Sequence, residues 1–365
     1  MGQTAWEEAF WQRLEEAEND FRQKNGKIAW FCSYTPVEII SSCGLHPYRF
    51  SGKEGTSYYA DSFLHSSLCF FVRGCLERVL KGEEKNLEGV VLVNSCLAMS
   101  HLFFALQKYS SCSFSYLLDL PRYDSQPARE FWSQVLRKFH RALSKYRGIE
   151  STEKELWEQI YLYRENRRRL QQLYERREGQ VAADGHELIR LVEAFTILPP
   201  ADFQEIYEAY SRDIFNKKNT LNGPRIFLTG SSMPGGLAKL IHESGGVLVL
   251  DDLCIGRRIL QFTGEPEAGE DPYSFLARQY LQREPCARMK SAGENLAKLE
   301  DMLKKYQIEG MIFFYLKFCD PWYYYGQLLK EIVKDIPVLI LEGEYASAGT
   351  GQMRTRISAF LEMIR

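Results

Sequence analysis

The chain has 365 residues, of which 45% are hydrophobic, 26% charged and 13% aromatic. That length fits two domains or three small ones, and the composition excludes a disordered, collagen-like or fibrous chain. A formal net charge of −2, from 46 Lys and Arg against 48 Asp and Glu, gives no overall field that would draw the protein to nucleic acid or to an anionic membrane.

Neither nucleic acid nor membrane is therefore an expected partner. The opening Met1-Gly-Gln-Thr-Ala-Trp-Glu-Glu lacks a basic segment followed by an apolar one, so no signal peptide is expected. The apolar runs at residues 89–93, 246–250 and 311–316 have the length of strands, not of a bilayer span. Nine Cys in such a chain are too sparse for a disulfide scaffold. A cytoplasmic setting is expected, with these thiols free, ligating metal or acting as nucleophiles.

Residues 4–23 have the pattern of an amphipathic helix, with Trp6, Phe10, Trp11, Leu14 and Phe21 on or near one stripe and Asn25-Gly26 ending it. Trp6 and Trp11 suit either a clasp on a partner subunit or packing on the same domain. A strand over 27–32 runs into Ser33-Tyr-Thr-Pro36, and Pro36 suits the first turn of a helix over 37–42. Gly44 ends that helix and His46-Pro47 starts a loop. A helix over 62–80, a strand over 89–93 ending at Asn94-Ser-Cys96, a helix over 99–108 and a strand over 113–118 follow. This β-α-β alternation predicts a parallel sheet with helices on its faces.

From residue 126 to about 219 two long helical patterns dominate, separated near Gly148. The second opens with a capping box, Thr152-Glu-Lys-Glu155. Its charge run, Arg164-Glu-Asn-Arg-Arg-Arg169, is read as a solvated helix face, because no stacking aromatics interleave with it. A second β-α-β pattern begins at Pro224: a strand over 225–229, the loop Gly230-Ser-Ser-Met-Pro-Gly-Gly236, a helix over 237–243, and a strand over 246–250 ending in Asp251-Asp252. Helices over 272–305, a strand over 310–316, the segment Lys317-Phe-Cys-Asp-Pro321, a helix over 326–334, a strand over 337–341 and a helix over 352–364 complete it. The expected fold is α/β: two doubly wound, Rossmann- or flavodoxin-like parallel-sheet domains (27–125 and 223–365), a helical insert (126–222) and an N-terminal helix (1–26).

In open α/β sheets functional groups gather at the carboxyl ends of strands. Cys96 and Cys319 sit there, and Cys69 lies on the helix before the strand that leads to Cys96. Three thiolates from separate segments can meet in a cleft and hold an iron–sulfur cluster, with helix N-termini offsetting its negative charge. Spacing alone leaves this reading beside that of inert buried Cys, because no C-x₂-C pair marks a zinc ribbon or ferredoxin run. The loop 230–236 matches neither the P-loop nor the dinucleotide fingerprint and reads equally as a tight βα turn. Asp251-Asp252 suits metal or acid–base work, or simple capping. His65, one helical turn before Cys69, is placed to face the same cleft if it is not merely structural.

Several stretches, in order along the chain, resemble the subunits of the 2-hydroxyacyl-CoA dehydratase / benzoyl-CoA reductase family. They are Cys32-Ser-Tyr-Thr-Pro-Val-Glu-Ile-Ile40 with Cys43-Gly-Leu-His-Pro47, Leu68-Cys-Phe-Phe-Val-Arg73, Val93-Asn-Ser-Cys96, Asp119-Leu-Pro121, Asp251-Asp-Leu-Cys-Ile-Gly-Arg257, Lys317-Phe-Cys-Asp-Pro321 and Gly351-Gln-Met-Arg-Thr-Arg-Ile-Ser-Ala-Phe360. The resemblance implies a [4Fe–4S] cluster on Cys69, Cys96 and Cys319 with an open fourth iron site. It implies a lyase that removes water from a 2-hydroxyacyl-CoA through a ketyl radical. The low-potential electron for this comes from a separate ATP-hydrolysing iron–sulfur activator. It also implies a dimer, with a paralogous subunit or with a second copy.

Ser33, Tyr34, Ser231, Ser232, Gln352 and Arg356 are the candidates to contact the acyl-CoA. The sequence departs from the family pattern where Leu97 follows Cys96, since many relatives have an acidic residue there. That leaves the acyl group open, and whether this subunit binds substrate or relays electrons. Extra Cys at Cys254 and Cys286 admit a sister branch, in which a double-cubane [8Fe–9S] cluster reduces small molecules. The same motifs also suit a benzoyl-CoA reductase-type subunit and a non-catalytic electron-relay partner.

Overall fold

The alternation of apolar strands with amphipathic helices resolves, in a computed structural model of the chain, into two four-stranded parallel sheets. The structure describes residues 5–52, 58–83, 86–179, 181, 183–214, 221–233, 236–262, 264–293, 296–345 and 351–365. Helix α1 (Ala5–Gln23) precedes β1 (Lys27–Trp30), α2 (Val37–Ser42), β2 (His46–Arg49), α3 (Phe70–Leu80), β3 (Leu87–Val93), α4 (Leu97–Tyr109) and β4 (Phe114–Leu118). Four helices follow: α5 (Gln126–Arg147), α6 (Glu153–Glu175), α7 (Gly185–Ile197) and α8 (Pro200–Ile214). The chain then runs through β5 (Arg225–Gly230), α9 (Gly236–Glu243), β6 (Val247–Asp252), α10 (Arg257–Leu260), α11 (Pro272–Gln282) and α12 (Leu296–Lys305). It closes with β7 (Gly310–Leu316), α13 (Asp320–Ile332), β8 (Val338–Gly343) and α14 (Gly351–Met363).

The two sheets share one topology, β2-β1-β3-β4 and β6-β5-β7-β8. Strand order reverses between β1 and β3 in the first and between β5 and β7 in the second. A doubly wound sheet opens its ligand crevice at that switch point, beyond the carboxyl ends of the strands. β1 and β7 are buried at every position, whereas β4 is half-buried in its middle and β8 over its first three residues. This is the gradient of a parallel sheet covered on both faces. At the end of β5, Gly230 has φ +139°, and a Cβ there would lie 1.8 Å from the Phe314 carbonyl oxygen. Only glycine lets β5 approach β7 so closely where the chain turns into the next loop.

Three expectations are corrected. His46-Pro47 belongs to β2, an edge strand where a proline is tolerated. The helix expected over 62–80 begins at Phe70, and Cys69 caps it; Ala60–Ser62 forms a separate 3₁₀ turn. Helix α13 begins at Asp320, not at 326, because Trp322 is buried against Phe313 (ring centroids 6.0 Å apart), and that packing overrides the weak helix propensity of an aromatic run.

The charged run on α6 is not uniformly solvated either. Arg164 pairs with Glu265, and Arg168 and Arg169 pair with Glu165. Arg167, by contrast, is buried and donates to Glu38 at 2.6 Å, and Asn166 is buried and donates to the Pro200 carbonyl at 2.9 Å. Tyr280 donates to the same Glu38 carboxylate at 2.8 Å, so α2, α6 and α11 are tied together at one fully buried charge. Helix α1 packs on its own chain. Phe10 and Leu14 are buried, Glu18 pairs with Arg190 of α7, and Trp11 lies half-buried against Phe10 and Tyr210. The side chain of Trp6, like Pro234 and Gly235 of the glycine-rich loop, lies outside the described residues. Among the described residues no helix is long and apolar enough to cross a membrane.

Candidate metal centre

Cys69 caps the N-terminus of α3, Cys96 that of α4 and Cys319 that of α13. A helix N-terminus gathers unpaired N–H groups and the positive end of the helix dipole, and thus favours an anion. Three such ends converge on one cavity, whose lining includes all three sulfur-bearing residues. The structure therefore brings together Cys69, Cys96 and Cys319, residues remote in sequence. Three further cysteines, Cys32, Cys254 and Cys286, line the same cavity. Cys32 follows β1, Cys96 follows β3, Cys254 follows β6 and Cys319 follows β7. The cavity is thus built from the carboxyl ends of both sheets, and Phe31, Phe71, Val72, Met99 and Leu316 give it apolar walls.

The thiols do not behave alike. Burial pushes Cys69 up to about 12, with Cys319 adding to the effect and the Val72 amide opposing it. Burial also raises Cys319, while Arg288 pulls it down. The mutual interaction of Cys254 and Cys286 raises Cys254 and lowers Cys286, with Arg288 and Arg258 also pulling Cys286 down. All the cysteines are free of disulfides.

Four arginines surround the sulfurs. Arg288 donates from Nη2 to Cys319 Sγ at 3.2 Å and from Nη1 to Cys286 Sγ at 3.4 Å, while its Nε is buried without a partner. Arg258 reaches Cys254 Sγ at 3.6 Å, but its charge is met by Asp252, at 2.7 Å. Arg49 is buried, with Nε and Nη1 unpartnered among the described residues and its guanidinium against the Trp30 and Phe71 rings. Arg122 holds the Cys96 loop through the carbonyls of Asn94 and Ser95. Neutral thiols are weak acceptors and cannot compensate a buried guanidinium; thiolates and cluster sulfides can. The sulfur set, the helix ends and the orphaned arginine N–H groups together fit a thiolate-held, anionic iron–sulfur group.

Of the residues expected to contact substrate, Ser33, Tyr34, Ser231 and Ser232 line the cavity. The Tyr34 Oη accepts the Cys286 N–H at 3.4 Å, and burial pushes its phenol up to about 12. Ser231 accepts the Leu316 N–H at 2.8 Å, and the Ser232 hydroxyl meets Tyr345 Oη at 2.6 Å. Gln352 and Arg356 do not reach the cavity: both are exposed on α14, where Arg356 donates to the Ile340 carbonyl. His65 is exposed in a turn and bonds Ser67, so the helical spacing that would aim it at the cleft does not exist.

Asp251 serves the fold. Its Oδ1 accepts the Arg257 N–H at 2.9 Å and its Oδ2 the Tyr174 hydroxyl at 2.5 Å. A separate group, Asp184 with His186 and His242, has its ligand-type atoms within 4.8 Å of one another. There the buried carboxylate that caps α7 faces both imidazole Nδ1 atoms.

Sequence reasoning missed Cys32, Arg49 and Arg288. Cys32 was readable in principle, since it follows an apolar run as Cys96 does, but a strand drawn to residue 32 instead of Trp30 hid it. No periodicity or motif marks Arg288, which lies in the irregular segment between α11 and α12.

Comparison with known proteins gives a consistent result. The family model for the 2-hydroxyglutaryl-CoA dehydratase D-component matches residues 32–364. The chain is 25% identical over 360 residues to the (R)-phenyllactyl-CoA dehydratase beta subunit of Clostridium sporogenes, covering 94% of this chain and 93% of that one. It is 24% identical over 352 residues to one of the subunits of the benzoyl-CoA reductase of Thauera aromatica, covering 93% and 90%.

Proposed function

The chain belongs to the 2-hydroxyglutaryl-CoA dehydratase D-component family, and from that premise we propose that it is a low-potential iron–sulfur redox subunit whose cluster sits in the cysteine-lined cavity. The observation that carries this reading is the convergence of Cys69, Cys96 and Cys319, each at a helix N-terminus, in one cavity. When bound, such a cluster supplies single electrons and, at an open iron site, Lewis acidity.

The chain's own residues divide the remaining work. Phe31, Phe71, Val72, Met99 and Leu316 keep bulk water from the sulfurs. Arg122 fixes the Cys96 loop by its backbone. Tyr34 stays a neutral phenol at physiological pH, because burial raises its pKa, and with its Oη already accepting from the Cys286 amide it holds a proton at the cavity wall. Ser231 and Ser232 offer hydroxyls on the facing side.

Two versions of the cluster differ in thiolate demand. Cys32, Cys254 and Cys286 line the same cavity as the first three, which favours the double-cubane [8Fe–9S] group and reduction of a small molecule. The single [4Fe–4S] version, on Cys69, Cys96 and Cys319, accords with the dehydratase and reductase relatives. It would take a 2-hydroxyacyl-CoA, receive its electron from an ATP-hydrolysing activator, and work beside a paralogous subunit or a second copy. Both versions are consistent with a cytoplasmic, oxygen-sensitive protein.

Anaerobic purification with iron and sulfide analysis tests the reading. A brown protein is expected, bleached by Cys319→Ala. About eight irons per chain that fall when Cys254 and Cys286 are both replaced by Ser indicate the double cubane. About four irons, indifferent to that change, with direct binding of a CoA thioester, indicate the single cubane. A colourless preparation that takes up no iron on reconstitution refutes both.

A further inference from the structure

We propose that Arg288 is the charge-compensating positioning residue of this centre. Its guanidinium bridges the Cys286 and Cys319 sulfurs, joins the two groups of cysteines, and raises the reduction potential of the cluster they hold. This inference rests on the cavity being the cluster site.

A buried guanidinium is costly to hold in a low-dielectric site unless an anion faces it. Among the described residues Arg288 makes no ion pair with a carboxylate; both of its Nη atoms donate to sulfur, at 3.2 and 3.4 Å, and its Nε is buried without a partner. The neighbouring cations differ. Arg258 is neutralised by Asp252, Arg122 is spent on backbone carbonyls, and Arg49 lies against aromatic rings and, among the described residues, makes no hydrogen bond to sulfur. Arg288 is therefore the cation that spans the cavity, from Cys286 in the segment after α11 to Cys319 at the start of α13.

Reduction adds one electron to the cluster and leaves the guanidinium protonated throughout, so no proton is exchanged with this residue. The added negative charge is stabilised by a fixed positive neighbour more than the oxidised state is. Removing that neighbour makes reduction harder. Hydrogen bonds to cluster sulfurs act in the same direction. The planar fork also fixes the distance between two sulfurs that arrive from different parts of the chain, which a point charge cannot do as well.

The test is a dye-mediated anaerobic redox titration of the full-length protein as wild type, Arg288→Gln and Arg288→Lys, followed by electron paramagnetic resonance. Iron content and circular dichroism are measured on each. Arg288→Gln is expected to lower the equilibrium constant for one-electron reduction at least tenfold, a shift of about 59 mV to more negative potential. Arg288→Lys restores the charge and is expected to recover most of that shift. Coincident titrations of wild type and Arg288→Gln overturn the inference, as does an Arg288→Lys variant displaced as far as Arg288→Gln. If Arg288→Gln holds no iron, Arg288→Lys decides: iron with a near-wild-type potential upholds the assignment, and an iron-free Arg288→Lys overturns it. Absence of iron from the wild-type protein is a different failure, that of the cluster reading itself.

Discussion

Glu38 is fully buried and paired with Arg167, with Tyr280 completing its hydrogen bonding. Removing one partner of such a pair leaves an uncompensated charge inside the protein, which costs more than the pair itself contributes. Arg167→Met is therefore expected to destabilise the fold by about 3–5 kcal/mol, measured by urea denaturation; a loss below about 1 kcal/mol would be the signature of a surface pair instead.

His242 offers a test by pH. Its hydrogen bond to Asp184 raises its pKa, so protonated His242 favours the folded state. That contribution is fully present below the unfolded value of about 6.5 and is lost as pH rises through the raised folded value. The difference in melting temperature between wild type and His242→Gln should be largest at pH 5.5 and shrink toward pH 8.5; a difference independent of pH would contradict this linkage. At this scale Cys69, Cys96 and Cys319 were legible in the sequence because two of them end strand patterns and all lie in family motifs. Arg288 was not, because its role depends on also reaching the Cys319 sulfur, 31 residues away, which only tertiary folding brings to it.

Helix starts organise the centre, and their signals in sequence were uneven. Thr152-Glu155 was readable as a capping box and forms one. Gly148 separates α5 from α6 and takes φ +65°, the left-handed cap that glycine allows. The cysteine caps of α3 and α13 gave no such signal, since cysteine is not a usual capping residue, and there the expected helix bounds were wrong. The short edge strand β2 was missed for a related reason: its proline argues for a loop until an edge position accommodates it. Where backbone approach is tightest, substitution should break an element. Gly230→Ala would put a methyl against the Phe314 carbonyl and is expected to disrupt the β5–β7 pairing, giving insoluble or protease-sensitive protein. Gly148→Ala, with nothing near its Cβ, should cost only the left-handed conformation, about 1–2 kcal/mol. Equal proteolysis of the two variants would refute this ranking.

On the scale of the molecule, two sheets of identical strand order turn their carboxyl ends toward one cavity. The α/β character and the strands of both sheets other than β2 were evident from β-α-β alternation, because central parallel strands are nearly continuous apolar runs. The convergence of the two crevices was not, since periodicity carries no information about how distant segments meet. Whether that convergence holds iron is read directly in an anomalous-difference map at the iron absorption edge from crystals grown without oxygen. Iron density is expected between Cys69, Cys96 and Cys319, extending toward Cys32, Cys254 and Cys286 if the cluster is a double cubane. Crystals of iron-replete protein with no iron density in that cavity, or with density only at Asp184, His186 and His242, would contradict this expectation.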